Sequence, residues 1–262
     1  MTKLSNFTKK LKEMNKKAFV PFFTAFYPTE SKFAELLFIA QSTGADILEI
    51  GIPFSDPIAD GEYIQYSSQW VLERGFKMSH FLSFFKEIRK EIKVPVVLMS
   101  YINPIYKFGF ERFASFMQEQ GIEGIIFPDL PFEESRILGS SFRSKGISVI
   151  NMIAPSTKED RIKIIAKKSD GFIYLISVYG VTGVRNSIDE SIKTTISTVK
   201  AFTDKPVYIG FGISSPDQAS IISKDADGII VGSIIIKILR RRENNFPIQE
   251  IRDFLKNMRG AI

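Results

Sequence analysis

The stretch Asp46-Ile47-Leu48-Glu49-Ile50-Gly51-Ile52-Pro53-Phe54-Ser55-Asp56-Pro57-Ile58-Ala59-Asp60-Gly61 decides how the rest of the chain is read. It opens as a short β-branched apolar run, Asp46 to Ile52, and continues into turn chemistry supplied by Pro53, Ser55, Pro57 and Gly61. A helical apolar pattern, Ser31 to Ser42, precedes it, and a second, Tyr63 to Arg74, follows. The same unit recurs outward in both directions. Strand-like runs lie at Phe19 to Ala25, Asp46 to Ile52, Val94 to Tyr101, Gly124 to Pro128, Ser148 to Ala154, Gly171 to Val178, Pro206 to Phe211 and Gly228 to Val231. Between them come helical patterns at Ser31 to Ser42, His80 to Ile92, Phe110 to Gln120, Glu133 to Ser144, Lys158 to Lys168, Ile188 to Ala201 and Asp217 to Lys224. Gly44, Gly121, Gly146 and Gly171 stand where a helix should end and the next strand begin. Eight strand–helix units in 262 residues predict an α/β fold of one domain across 1–262, a parallel (β/α)8 barrel of the TIM type. An extra N-terminal helix, Leu4 to Lys17, and short helices in the loops accompany it. An open doubly wound sheet is the structural competitor, because alternation alone does not close a sheet.

The same stretch carries the first chemical signal. An ionised carboxylate is costly to bury without partners, so Glu49 among Ile47, Leu48, Ile50 and Ile52 needs a reason to be there. Asp60 lies in the loop that follows, at the end of a strand where barrels of this class carry catalysis. The competing reading is an edge-strand glutamate facing solvent ahead of an ordinary polar loop.

Composition narrows the chemistry. Hydrophobic residues make up 44% and charged residues 24%, as in an ordinary globular protein. Net charge is +6, but basic and acidic residues alternate along helices, as in Lys86-Glu87-Ile88-Arg89-Lys90-Glu91, which reads as solvated helix faces and not as a nucleic-acid surface. Arg240-Arg241-Arg242 is the one compact basic cluster. The chain has no cysteine, which removes disulfides, thiolate catalysis and cysteine metal sites. Its one histidine, His80, sits at the start of a helical pattern and reads as a surface or capping residue, so histidine triads and zinc motifs are not expected. No apolar run reaches the length of a membrane span and the start has no signal-peptide core, so a reducing aqueous compartment is expected, and no membrane contact. Richness in Lys, Ile and Phe would suit an AT-rich genome, such as that of a plastid or endosymbiont.

Three glycine-bearing loops follow the last strand-like runs: Val178 to Arg185, Gly210-Phe211-Gly212-Ile213-Ser214, and Gly232-Ser233 opening a helical pattern Ile234 to Arg242. Exposed N–H groups at a helix N-terminus, with glycines that permit close approach, bind phosphate, and this is the usual phosphate position of such barrels. Plain tight turns are the alternative for any one of them. No P-loop and no dinucleotide fingerprint is present, so no nucleotide cofactor is expected. Proton transfer then falls to carboxylates and tyrosines. Tyr101 and Tyr174 occupy positions able to face the barrel mouth, and Phe22, Phe127 and Ile153 can wall a pocket there; plain core packing is the competing reading of each.

The segments Phe19-Val20-Pro21-Phe22, Leu48 to Gly61, Met99 to Pro104, Phe127 to Glu134, Ile153-Ala154-Pro155, Gly180 to Arg185, Gly210 to Ser214 and Val231-Gly232-Ser233, in that order and spacing, resemble the tryptophan synthase alpha subunit family. The resemblance covers essentially the whole chain. It implies a (β/α)8 barrel that cleaves indole-3-glycerol phosphate to indole and glyceraldehyde 3-phosphate in tryptophan biosynthesis. It implies no cofactor or metal on this chain, with pyridoxal phosphate on a beta subunit that joins it as an α2β2 heterotetramer. Glu49 matches the residue that protonates the departing indole carbon, and Asp60 the anion that faces the indolenine cation. Thr182 matches the residue that bonds Asp60 on lid closure, and Gly183, Gly212, Gly232 and Ser233 the phosphate cradle. Phe22, Tyr101, Phe127, Ile153 and Tyr174 match the indole and glycerol pocket, while Asp56 and the Asp129 to Glu134 loop match partner-facing positions.

Three positions depart from the family pattern: Phe26 replaces a glycine after the first run, Glu62 a proline after Asp60-Gly61, and Ile234 an alanine after Gly232-Ser233. Phe26 is expected to narrow the site mouth, and Glu62 to loosen a loop that proline would stiffen. The competing functions are a catalytically impaired alpha subunit acting mainly as allosteric activator of its partner, and another phosphate-binding barrel enzyme.

Overall fold

The computed structural model describes residues 1–177, 190–210, 212–241 and 246–262. Nine strands occur among them: β1 Ala18–Thr24, β2 Leu48–Gly51, β3 Val96–Met99, β4 Gly124–Ile126, β5 Ser148–Ile150, β6 Met152–Ile153, β7 Ile173–Ile176, β8 Val207–Gly210 and β9 Gly228–Val231. All pair in parallel, in the order β5-β4-β3-β2-β1-β9-β8-β7-β6. The two ends of that order are consecutive in the chain, separated by Asn151 alone. The fifth predicted run therefore pairs with β4 through its first half and with β7 through its second, and this closes the barrel. Asn151 holds the junction: its carbonyl accepts the Tyr174 N–H at 3.2 Å and its side-chain oxygen accepts the Ser135 hydroxyl at 2.8 Å. The open-sheet alternative is thereby excluded.

The helices lie close to their expected positions. The pattern from His80 becomes a helix Met78–Ile88 followed by a 3-10 turn Arg89–Glu91, and the pattern from Glu133 splits into Phe132–Leu138 and Ser140–Arg143. Two helices were not expected from the pattern, Ile102–Phe108 and the C-terminal Ile248–Gly260. Gly44, Gly121 and Gly146 have positive φ just after their helices, the step that ends a helix; Gly171 also has positive φ, but its helix has already ended at Lys168 with Ser169 extended. The N-terminal helix runs from Lys3 to Glu13, shorter than expected because Asn15 turns left-handed at φ 56°. It closes the lower end of the barrel with fully buried Leu4, and a Cβ on Gly124 would lie 2.9 Å from that leucine's Cδ2.

Because helices cover one face of every strand and the barrel interior the other, each strand is buried on both sides. In β1, Phe19 and Phe23 pack outward against the helices while Ala18, Val20 and Phe22 point inward. The inner layer continues with Val97, Met99, Ile126, Ile150, Tyr174 and Ile230.

Four acids bind the lower rim by one repeated device. Asp46 accepts the Phe19 N–H at 3.0 Å, Glu123 the Val96 N–H at 2.8 Å, Asp170 the Val149 N–H at 3.4 Å and Asp227 the Val207 N–H at 2.9 Å. Each also meets a cation, respectively Arg259, Arg89, Arg143 and Lys200. A carboxylate so supplied with donors is a tolerable buried group, and it ties each strand start to the next.

Candidate active site

Glu49 occupies the inward position of β2, in register with Phe22 of β1 and Val97 of β3. The strand is central, and Glu49 is 1% exposed, so the edge-strand reading fails. The contrast with Asp46, three residues earlier, is chemical: Asp46 has a backbone donor and cations, whereas neither carboxyl oxygen of Glu49 has a hydrogen-bond partner among the described residues. Burial, and secondarily the nearby charge of Asp60, push the Glu49 carboxyl up to about 8. At neutral pH Glu49 is therefore a protonated acid inside the barrel mouth.

Asp60 approaches from the loop after β2, one residue before Gly61 caps the helix Glu62–Glu73. Burial raises it to about 6, opposed by a hydrogen bond from Tyr101, so at neutral pH it is mainly an anion. Two neighbouring carboxyl groups are thus held in opposite protonation states, the arrangement that separates acid from base.

Phe22, Tyr174, Gly212, Gly232 and Ser233 join Glu49 and Asp60 around one narrow cavity of about 30 Å³ at the C-terminal mouth. Glycines make room for the rings. A Cβ on Gly51 would lie 2.4 Å from the Phe22 ring, and one on Gly210 2.3 Å from the Tyr174 hydroxyl. Burial and the charges of Glu49 and Asp60 keep the Tyr174 phenol well above its ordinary value, hence protonated. Gly232 caps the helix Ser233–Arg240, and since Gly232 and Ser233 both line the cavity, the helix N-terminus lies at its edge. Tyr101 stands one layer behind, its hydroxyl accepting the Ala59 N–H at 2.9 Å. Thr182 and Gly183 lie outside the described residues.

Phe127 and Ile153 are not brought to this cavity. Both side chains face the helix layer, Phe127 with its ring 5.7 Å from that of Phe142, and the inward positions are taken by Ile126 and Met152. In strands apolar on both faces the pattern carries no inward-outward signal; the register does, because Ile126 pairs with Met99, and Met152 with Tyr174. Met99, Ile64, Ile213 and Ile230 also line the cavity and carried no signal beyond being apolar near the mouth.

One of the departures resolves differently from expectation. Phe26 does not narrow the mouth: its ring turns outward into a cluster with Phe33, Phe76, His80, Phe81 and Phe84, centroids 5.2 to 6.2 Å apart. Its φ of 66° is the left-handed conformation that suits glycine, and the ring contacts offset a strain of about 1–2 kcal/mol. Glu62 is the first residue of its helix, where an acid favours the helix dipole, and it meets Arg240 at 3.5 Å. Ile234 is partly buried at the second position of its helix. His80 is a surface residue paired with Glu30 at 2.9 Å.

A larger cavity, about 610 Å³, lies at the opposite end of the barrel beside Lys9, Arg143 and Lys205. Size does not make it the site: Arg143 is paired with Asp170 at 2.7 Å, and Lys205 caps helix carbonyls of Ala166 and Lys167.

A closed parallel barrel with a protonated and an ionised carboxyl facing each other at its C-terminal mouth, beside a helix N-terminus, defines an acid–base (β/α)8 enzyme. The family model for the tryptophan synthase alpha chain matches residues 8–261. The tryptophan synthase alpha chain of Microcystis aeruginosa is 38% identical over 100% of both chains, and that of Arabidopsis thaliana 36% identical over 99% of this chain and 95% of its own. Among solved structures, the tryptophan synthase subunit alpha of Legionella pneumophila superposes with a TM-score of 0.89 at 32% identity, covering 100% of this chain and 98% of that one. The chain belongs to the tryptophan synthase alpha chain family, lyases that cleave indole-3-glycerol phosphate in tryptophan biosynthesis. Among the described residues no helix is long and apolar enough to cross a membrane.

Proposed function

We propose that Glu49 and Asp60 are the catalytic residues of this cleavage. Protonated Glu49 delivers its proton to the indole carbon bearing the glycerol chain, producing an indolenine cation whose ring N–H faces the Asp60 carboxylate. The Glu49 carboxylate then takes the proton of the adjacent glycerol hydroxyl; the carbon–carbon bond breaks, its electrons restore the indole, and the hydroxyl carbon leaves as the aldehyde of glyceraldehyde 3-phosphate. Glu49 ends protonated, and no external acid is consumed. Phe22 and Tyr174 would flank the substrate, and the first N–H groups after Gly232, with Ser233 and Gly212, would receive its phosphate. Thr182 and Gly183 complete the lid and cradle in this reading. A substrate of this size needs several hundred Å³, roughly 300 or more, so binding widens the mouth.

The observation that carries the proposal is a fully buried Glu49 carboxyl, without a hydrogen-bond partner among the described residues, facing Asp60. Glu49→Gln is expected to abolish indole release while the fold and partner binding survive, measured in a lyase assay with purified beta chain present. Full retained activity would refute it.

The chain is further proposed to work without a cofactor of its own, as the alpha subunit of an α2β2 heterotetramer whose beta subunit holds pyridoxal phosphate. Exposed Asp56 and Ile58 on the loop after β2 suit partner contact. Asp129 is committed instead to the Ile102 N–H at 3.1 Å, and Glu133 to Arg161 at 2.7 Å, leaving Glu134 as the freer acid of that loop. A bacterial cytoplasm or a plastid stroma is the proposed compartment, in line with a chain lacking cysteine.

A further inference from the structure

We infer that Tyr101 is a positioning residue for Asp60: its phenol oxygen anchors the loop after β2 by accepting the Ala59 N–H while donating its own proton to the Asp60 carboxylate. The inference rests on the reading of Asp60 as the anion that faces the reacting ring. Tyr101 stands two residues past the end of β3 and caps the helix Ile102–Phe108, so its backbone is set by the barrel and not by the loop it holds. It is fixed from behind as well, because the next residue's N–H donates to both Asp129 oxygens, at 3.1 and 3.2 Å. The loop reaches it from both ends. Phe54, at the loop's start, stacks on the Tyr101 ring with centroids 5.1 Å apart, and Ala59 and Asp60, at its finish, bind the hydroxyl.

A phenol has one proton and accepts through its oxygen lone pairs, so with the Ala59 N–H as donor the remaining proton falls to Asp60. Burial and the charge of Asp60 hold the Tyr101 phenol well above its ordinary value, so the donor is never lost at working pH. Among the described residues, the other titratable groups facing Asp60 are Glu49 from β2 and Tyr174 from β7, neither of which supplies a positive charge. Glu62, at the exposed start of the following helix, is paired with Arg240. Tyr101 is thus the group that counters burial and keeps Asp60 charged, and it does so through the same oxygen that holds the loop in place. A tyrosine that merely lined a pocket would do neither.

Tyr101→Phe keeps the ring and its stack on Phe54 while removing the oxygen. In the full-length chain, a carbon-13 carboxyl titration of Asp60, assigned by comparison with Asp60→Asn, is expected to show its midpoint raised by about one pH unit, as loss of a hydrogen bond to a charged group predicts. The Ala59 amide is expected to lose its protection against hydrogen exchange. Difluorotyrosine at position 101, a stronger donor of the same shape, is expected to move the midpoint the opposite way, a reversal that a purely structural role does not produce. With beta chain and substrate, Tyr101→Phe should depress kcat more than it alters KM, and most at acid pH. A midpoint unmoved by both substitutions, with Ala59 exchange unchanged, would overturn the inference. Neither physical measurement uses substrate, so an absence of lyase activity in the unaltered chain would refute the catalytic reading and leave this one standing.

Discussion

Glu49 carries a stability cost that can be measured without any substrate. Its carboxyl titrates near 4.5 in the unfolded chain and about 8 in the folded one. An acid whose folded value is raised binds its proton more tightly in the native state, so this contribution lowers stability as pH climbs from about 4.5 to about 8 and is absent below that window. Each pH unit in the window costs about 1.36 kcal/mol, which makes the penalty about 3 kcal/mol at pH 7 and about 5 kcal/mol above pH 8. These are large fractions of the 5–15 kcal/mol or so that holds a domain folded. Glu49→Gln, similar in size and unable to ionise, abolishes the dependence. Urea unfolding of both proteins from pH 4.5 to 8.5 should give curves that coincide at the acid end and separate steadily toward the alkaline end, the variant becoming the more stable. Asp60→Asn, which removes the charge that assists burial in raising Glu49, should narrow the gap without closing it. Curves for the two proteins that stay parallel across the range would refute the reasoning, because they would mean that Glu49 is solvated or paired in the folded state.

Two further outcomes follow from the same structure. The pH profile of kcat/KM for indole release should be bell-shaped, rising as Asp60 ionises at about 6 and falling as Glu49 deprotonates at about 8, and the acid limb should vanish in Asp60→Asn. Phe26→Gly relieves the left-handed strain but deletes a buried ring with five aromatic neighbours, so thermal or urea unfolding should show a net loss of roughly 2–3 kcal/mol with lyase activity retained.

Local chemistry in the chain is sufficient for the repeating architecture: the period of apolar residues, the prolines and the glycines at helix ends are read by the backbone within a few residues of where they stand. That locality is why the strands and most helices fall where the pattern predicts, and why Glu49 and Asp60 stand out as acids of interest. It is also why the helix Ile102–Phe108 carries no periodic signal, since its seven residues begin three positions after the end of β3 and contain Pro104 in the first turn, where proline is tolerated. The difference between Asp46 and Glu49 cannot be local. Both are buried acids in one short run, and only partners distant in sequence, Phe19 and Arg259, make the first a structural tie and leave the second as an acid.

By itself, then, the sequence determined the α/β repeat, the parallel strands, the exclusion of thiol and histidine chemistry, and the two carboxyl groups on which the proposed reaction depends. Only the tertiary structure decided that the sheet closes at Asn151, that Ile126 and Met152 face inward in place of Phe127 and Ile153, that Phe26 turns away from the mouth, and that the Tyr101 hydroxyl accepts the Ala59 N–H beside Asp60. The reason is common to all four. Strands buried on both faces show no alternation to read, and whether a buried group is satisfied depends on residues that the fold, and not the chain, makes its neighbours.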